Sequence, residues 1–148
     1  MDVNLRSALL MTKYAIASLV AAHGSIVSIA SVAALRAHGG GVAYSASKAA
    51  MIAMTRDVAV MYGEQGVRAN IVAPGHIYTP LVEGMLDAKE RETRRRIAPL
   101  AIEGDAWDIA AATLFLASDE ARFITATCLP VDGGVVEVGP LTAHARAS

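Results

Sequence analysis

Gly24-Ser25-Ile26-Val27-Ser28-Ile29-Ala30-Ser31 is a mostly apolar run of strand length, bounded by a glycine and a serine. Such a run predicts a short buried strand over residues 25–29, and the periodicity before it predicts a helix over residues 4–22. Further strands are predicted over residues 67–73 and 127–131, and further helices over residues 43–62, 79–97 and 105–118. Because strands alternate with helices, we expect an α/β domain with a parallel sheet and right-handed crossovers.

Two residues on the helix after this strand have the chemistry of proton transfer. Tyr44 and Lys48 are four positions apart, so a helix places both on one face. A lysine ammonium beside a phenol stabilises the phenolate, and such a tyrosine can exchange a proton with a hydroxyl or a carbonyl. Ser31 follows the strand and could hold the same oxygen. The alternatives are a surface tyrosine and a serine that caps a loop.

Several motifs occur in a characteristic order along the chain. They are Ser31, then Tyr44-Ser-Ala-Ser-Lys48, then Gly66-Val-Arg68-Ala-Asn70-Ile-Val-Ala-Pro74-Gly75-His-Ile-Tyr-Thr79, and finally Val131-Asp132-Gly133-Gly134. Together they resemble the short-chain dehydrogenase/reductase family, from about residue 4 to about residue 134. The resemblance implies a Rossmann-like, doubly wound parallel sheet and an oxidoreductase that interconverts an alcohol and a ketone with NAD or NADP.

The resemblance also implies roles for individual residues. Tyr44 would be the general acid–base, Lys48 would also bind the nicotinamide ribose, and Ser31 would hold the substrate oxygen. Asn4 matches the position that anchors a water leading to the lysine; a helix-start asparagine is its alternative. The residues that match the stretch contacting the nicotinamide end of the cofactor are Pro74, Gly75, Ile77 and Thr79, with Thr79 also a candidate helix cap. Asp132 is expected to shape the final turn.

The sequence contains neither Gly-x-x-x-Gly-x-Gly nor Gly-x-Gly-x-x-Gly, the glycine patterns of a turn that cradles a dinucleotide pyrophosphate. Gly39-Gly40-Gly41 does not match them and is interpreted as a flexible loop. We therefore expect the chain to correspond to the catalytic half of such an enzyme, without the amino-terminal βαβ half that binds the cofactor. Cofactor binding by this half alone is expected to be weak. The residue that selects NAD or NADP is not within the matched region.

Composition limits the other classes of function. The chain has 148 residues and a formal net charge of -1, which gives no reason to expect nucleic acid or an anionic membrane as a partner. The apolar residues 8–22 are interrupted by polar side chains and are predicted to be too short to span a membrane. Cys128 is the single cysteine, so no internal disulfide forms, and the scattered histidines predict no metal site. We expect a cytoplasmic protein.

Residues 1–139 are predicted to form one partial domain, and residues 140–148 a flexible tail. The apolar content of 54% predicts surfaces that are covered by partner subunits or by a missing half-domain. The family resemblance implies a homo-oligomer that pairs through the helix at residues 43–62 and the helix before it. Two other functions remain open: an inactive subunit that keeps only the oligomerising helices, and a flavodoxin-like binding module, for which the chain has no phosphate loop.

Overall fold

The computed structural model describes residues 1–37 and 41–147, so His38 and most of the predicted glycine loop lie outside the described residues. The helices are α1 (Ser7–Ala22), α2 (Val42–Tyr62), α3 (Pro80–Glu83), α4 (Ala88–Ile97), α5 (Ala106–Ala117) and α6 (Pro140–Ala147). The strands are β1 (Ser25–Ile29), β2 (Arg68–Pro74) and β3 (Cys128–Val131). The predicted strands and long helices are confirmed to within two residues at most ends.

The described residues contain a 3-stranded parallel sheet in the order β1-β2-β3. The register pairs Ser25 with Arg68 and Ile71 with Cys128, so each crossover helix returns the chain to the same end of the sheet. β2 is the central strand and is almost completely buried, as expected for a strand with helices on both faces. The predicted α/β fold with a parallel sheet is confirmed, and all three carboxyl ends meet at one edge.

The core consists of small clusters on the two faces of β2. On one face, Ile52 of α2 packs with Ala30 and Ile71. On the other face, Leu116 of α5 packs with Val72 and Ala121. The sheet is thereby fixed between α2 and α5, and residues after the strands are held in a defined place.

Side-chain hydrogen bonds fix the start of α5 and the turn that precedes β3. Asp105 accepts hydrogen bonds from the N–H groups of Trp107 and Asp108, and the Asp108 carboxylate accepts one from the Asp105 N–H. This reciprocal cap confirms Asp105 as the predicted start of the helix. The buried Asn70 amide donates to the Ile124 carbonyl at 2.8 Å and accepts from the Thr127 N–H at 3.2 Å, which orients the turn before β3.

Residues 79–97 are mostly helical, as predicted, but the structure divides them into α3 and α4. Asp87 accepts a hydrogen bond from the Glu90 N–H at 2.7 Å, and the Glu90 carboxylate accepts one from the Asp87 N–H at 3.0 Å. An aspartate followed three residues later by a glutamate is a capping box, and it starts a new helix.

The chain ends in a helix where the sequence predicted a flexible tail. α6 packs against α4, and its Arg146 guanidinium donates to the carbonyls of Arg96 and Ala98 at 3.5 and 3.4 Å. These carbonyls belong to the carboxyl end of α4, where a cationic group is favourable because the carbonyls there lack helical partners.

The amino-terminal helix is longer than the apolar stretch at residues 8–22. A π-helical turn, Asp2–Arg6, leads into α1 and extends the helix to 21 residues. Its most apolar window of 18 residues has a mean hydropathy of 1.3, so by length and composition alone the helix passes for a membrane span. The helix is thus longer than the stretch of residues 8–22 that the sequence predicted to be too short for a membrane span. Ile16 nevertheless packs on the cluster of Val58, Ala59 and Ala69, which is a contact made within the domain.

Candidate active site

Lys48 and Tyr44 lie on one face of α2, as predicted, and this face meets the end of β1. The Lys48 Nζ donates a hydrogen bond to the Ile29 carbonyl at 2.8 Å and lies 5.9 Å from the centre of the Tyr44 ring. Burial lowers the pKa of Lys48 below its ordinary value, since the ammonium has lost part of its water. Tyr44 remains 43% exposed, so a molecule at this edge of the sheet can reach its phenol.

Ser31 begins the loop that follows β1. Its Oγ accepts a hydrogen bond from the Ala33 N–H at 3.2 Å and caps a short 3-10 turn, Val32–Ala34. Ala34 of this turn packs against the cluster that contains Ile52, so the turn is held on α2. The capping alternative is thus present, and it leaves the hydroxyl proton of Ser31 available to donate to another oxygen.

Asn4 contacts α2 at Ser47, the residue that precedes Lys48. Its Nδ2 donates to the Ser47 Oγ at 3.0 Å, and Ser47 donates in turn to the Tyr44 carbonyl at 2.7 Å. Ser47 is 1% exposed, so this small network fixes the π-helical turn against the first turns of α2. The structure therefore places Asn4 beside the helix that carries Tyr44 and Lys48.

The segment after β2 turns sharply because β3 approaches it closely. The Gly75 N–H donates to the Val131 carbonyl at 3.0 Å, and a Cβ at Gly75 would lie 2.4 Å from the Asp132 Cβ. No side chain fits at that separation, so glycine is required for the two chains to pass. Pro74 ends β2 just before this contact.

Ile77 and Thr79 lie further along the same segment. The Ile77 N–H donates to the Gly75 carbonyl at 3.0 Å, so this N–H is already used within the segment. Thr79 stands at the cap position of α3, but within the described residues its side chain makes no capping hydrogen bond. Thr79 thus occupies the predicted cap position without using its side chain, and its hydroxyl keeps its hydrogen-bonding capacity.

Two residues at β3 have structural roles. The Asp132 carboxylate accepts hydrogen bonds from the N–H groups of Gly134 and Val136, both at 2.8 Å, so it shapes the final turn as predicted. Cys128 is partly buried, and burial raises the pKa of its thiol, which favours the unreactive protonated form. Within residues 1–37 and 41–147, no group of His, Cys, Asp and Glu side chains is arranged to hold a metal ion.

The alternation of basic and acidic residues in α4 is typical of a solvated helix face. The structure differs, because Arg91 of this helix contacts residues outside it. Arg91 makes a two-pronged ion pair with Glu103, at 3.0 and 2.6 Å, and its guanidinium lies 3.7 Å from the centre of the Tyr78 ring. This contact holds α4 against the segment after β2. The Glu103 carboxylate has a pKa below its ordinary value, chiefly because it accepts the Arg91 hydrogen bonds.

A cavity of about 150 Å³ lies between α4, the segment after β2 and the turn after β3. Its apolar wall is formed by Ile77, Leu86, Ala98, Leu100, Ile102 and Val131. Arg91, Arg94 and Arg95 also line it, and His76 borders it.

Two residues that organise these regions, Ser47 and Glu103, give no signal in the sequence. Ser47 has no catalytic pattern of its own and is identified only by its contact with Asn4, 43 residues away. Glu103 is separated from Arg91 by twelve residues, beyond the spacing at which helical ion pairs can be predicted.

The chain is similar to known proteins in sequence and in fold. Residues 1–136 match the family model described as "Enoyl-(Acyl carrier protein) reductase". The chain is 40% identical to levodione reductase of Leifsonia aquatica over 118 residues, which cover 75% of this chain and 44% of that protein.

Solved structures give the same result for the fold. An oxidoreductase of the short chain dehydrogenase/reductase family from Burkholderia thailandensis superposes with a TM-score of 0.90 at 37% identity, covering 97% of this chain and 57% of that one. 4-Hydroxyisoleucine dehydrogenase complexed with NADH superposes with a TM-score of 0.87 at 33% identity, covering 93% of this chain and 58% of that one. The chain spans about half the length of these relatives.

Proposed function

Because the chain belongs to the short-chain dehydrogenase/reductase family, we propose that it acts as the catalytic half of an NAD(P)-dependent oxidoreductase that interconverts an alcohol and a ketone. The observation that carries this proposal is the hydrogen bond from Lys48 to the Ile29 carbonyl. It fixes the face of α2 that bears Tyr44 beside the end of β1, two residues before Ser31.

In the proposed reaction, Tyr44 accepts the alcohol proton during oxidation and returns it during reduction. The Lys48 ammonium favours this exchange because its positive charge stabilises the phenolate. The Ser31 hydroxyl donates a hydrogen bond to the substrate oxygen and stabilises the charge that develops there. The acceptor capacity that Ser31 uses on the Ala33 N–H does not compete with this donation.

Asn4 is proposed to hold the first turns of α2 in place and to anchor a water on the path to Lys48. The hydrogen bond to Ser47 supports the first role, since Ser47 is bonded in turn to the carbonyl of Tyr44. The alternative of a helix-start asparagine without a functional role predicts no effect of Asn4 on turnover.

A nicotinamide cofactor, NAD or NADP, would exchange a hydride with the substrate carbon. The residues proposed to hold its nicotinamide end are Tyr44, Lys48, Pro74, Gly75, Ile77 and Thr79. Two observations fit this group: Lys48 uses one of its three donors on Ile29, and the Thr79 hydroxyl makes no cap bond within the described residues. With its N–H used, Ile77 would contribute apolar contact.

We also propose that the protein is a cytoplasmic homo-oligomer that acts on a small-molecule alcohol or ketone. The exposed apolar side chains of α1 and α2 support self-association; they include Met11, Tyr14, Val60 and Met61. An inactive subunit that serves only in this association is the second candidate, and the same exposed side chains support it.

A fusion protein tests these alternatives. The amino-terminal part of Leifsonia aquatica levodione reductase is joined before Met1, and oxidation of a panel of secondary alcohols is followed by the absorbance of the reduced cofactor. We expect turnover by the fusion protein and its loss in Tyr44→Phe, with cofactor binding retained. Tyr62→Phe, at the other end of α2, is the matched control and should keep full activity, because the Tyr62 hydroxyl makes no hydrogen bond within the described residues.

A fusion protein that folds and binds cofactor but shows no turnover would support the inactive subunit. Substantial activity in Tyr44→Phe would contradict the proposed role of the phenol. Cofactor binding is measured separately, by fluorescence titration of the reduced form, so that a binding defect is not mistaken for a chemical one.

A further inference from the structure

The cavity between α4 and the segment after β2 is lined by three carboxylates and three arginines, and these groups differ in whether they already have a partner. The Glu103 carboxylate is bonded to Arg91, the Asp108 carboxylate accepts from the Asp105 N–H at 2.8 Å, and the Asp132 carboxylate accepts from two N–H groups of its own turn. Each acidic group that lines the cavity is therefore already engaged.

Two of the three arginines at the cavity are engaged as well. Arg91 is paired with Glu103. Arg95 donates to the Glu92 carboxylate at 2.8 and 2.6 Å and to the Ala101 carbonyl at 2.6 Å. Arg94 is partly buried and lines the same cavity, but it makes no hydrogen bond or ion pair with the part of the chain that the structure describes. A partly desolvated guanidinium without a partner favours binding of an anion.

The remaining wall selects what kind of anion fits. Most of it is aliphatic, and Leu100 and Ile102 are 65% and 61% exposed at its rim. An apolar cavity of about this volume accepts a molecule of roughly the size of benzene. A bare phosphate would match the guanidinium but not the aliphatic wall, whereas a carboxylate on a compact apolar body would match both.

We propose that this cavity binds a small carboxylate with a compact apolar body, held by a charge-assisted hydrogen bond from Arg94. Ile77 and Tyr78 form part of its wall, so the ligand would lie against the segment proposed to contact the nicotinamide. The same chemistry has two sources: the carboxylate end of a substrate, or a separate ligand. The binding does not depend on the proposed oxidoreductase function, but the assignment of the carboxylate to the substrate rests on it.

Benzoate is the probe, and benzamide is its neutral counterpart of the same shape. Calorimetric titration of the full chain is expected to show saturable binding of benzoate and binding of benzamide weaker by about tenfold or more, because the neutral amide loses the charge-assisted bond. Absence of saturable benzoate binding, or equal binding of the two compounds, would overturn the proposal. This comparison needs no variant and so cannot be confused by misfolding.

Variants of α4 then locate the site. Arg94→Gln is expected to weaken benzoate binding by about tenfold or more, and Arg94→Lys by less, since it keeps the charge. Arg96→Gln is the matched control: it removes the same charge from the same turn at an exposed side chain that does not line the cavity, and it should bind as the unmodified chain does. Equal losses in Arg94→Gln and Arg96→Gln would overturn the assignment to Arg94.

Kinetics with the fusion protein distinguish the two sources. Competitive inhibition by benzoate against an uncharged alcohol would support the substrate end, and noncompetitive inhibition would support a separate ligand. Benzoate binding by a fusion protein without turnover would support the cavity assignment while contradicting the proposed oxidoreductase function.

Discussion

The Lys48 Nζ and the Ile29 carbonyl oxygen are 2.8 Å apart, and this hydrogen bond joins helix α2 to the end of strand β1. One ammonium thus positions the helix face that carries Tyr44 relative to the loop that begins at Ser31. The lowered pKa of Lys48 has the same origin, because the contact partly buries the ammonium.

Lys48→Met in the fusion protein is expected to lower both the turnover rate and the affinity for the reduced cofactor. Methionine fills the space of the stem but cannot stabilise a phenolate or donate to a ribose hydroxyl, and it leaves the Ile29 carbonyl without its donor. Steady-state kinetics and fluorescence titration measure the two effects. Lys13→Met is the control, since the Lys13 Nζ lies 5.6 Å from the centre of the Tyr14 ring on the exposed face of α1. Unchanged cofactor affinity in Lys48→Met would contradict the contact between Lys48 and the ribose.

Ser31→Ala is expected to reduce the turnover rate of the fusion protein by about two to three orders of magnitude, the usual effect of removing one donor to a developing oxyanion. It also removes the cap on the Ala33 N–H, which typically costs about 1 kcal/mol of stability. Denaturant unfolding separates the two contributions. Ser118→Ala serves as a control for serine removal at a helix end, and a stability loss without a rate loss in Ser31→Ala would leave only the capping role.

Gly75→Ala tests the close approach of β3 to the segment that follows β2. A Cβ there would lie 2.4 Å from the Asp132 Cβ and 2.7 Å from its Cα, so the backbone must move. We expect a loss of about 1–3 kcal/mol in the free energy of unfolding, as for other overpacked sites. Gly63→Ala is the matched control, because Gly63 has helical angles and nothing within 4 Å of the added carbon; similar losses in both variants would exclude this steric explanation.

Much of the fold was predictable because its signals are local. The apolar run before Ser31, the Tyr44 and Lys48 spacing and the Asp105 cap each depend on neighbours within one or two turns of chain. The Asn4 contact with Ser47 and the Arg91 contact with Glu103 join distant positions, and their geometry depends on how whole helices pack. The cavity at Arg94 was not predictable for the same reason: which arginine of α4 lacks a partner is decided by residues on other elements.

The ion pair between Arg91 and Glu103 is expected to make the stability of the chain depend on pH in the acidic range. The pKa of Glu103 is lowered in the folded state, chiefly by the hydrogen bonds from Arg91. Its contribution to stability is therefore fully present above the unfolded-state pKa of about 4.3 and is lost as the pH falls through the lower folded-state value.

Thermal unfolding of the unmodified chain and of Glu103→Gln should differ most near neutral pH, with the unmodified chain more stable, and should converge in acid. Glu64→Gln is the control for the loss of an exposed carboxylate, since Glu64 makes no ion pair within the described residues. A Glu103→Gln difference that persists unchanged below the folded-state pKa would show that the pair does not stabilise the fold through its charge.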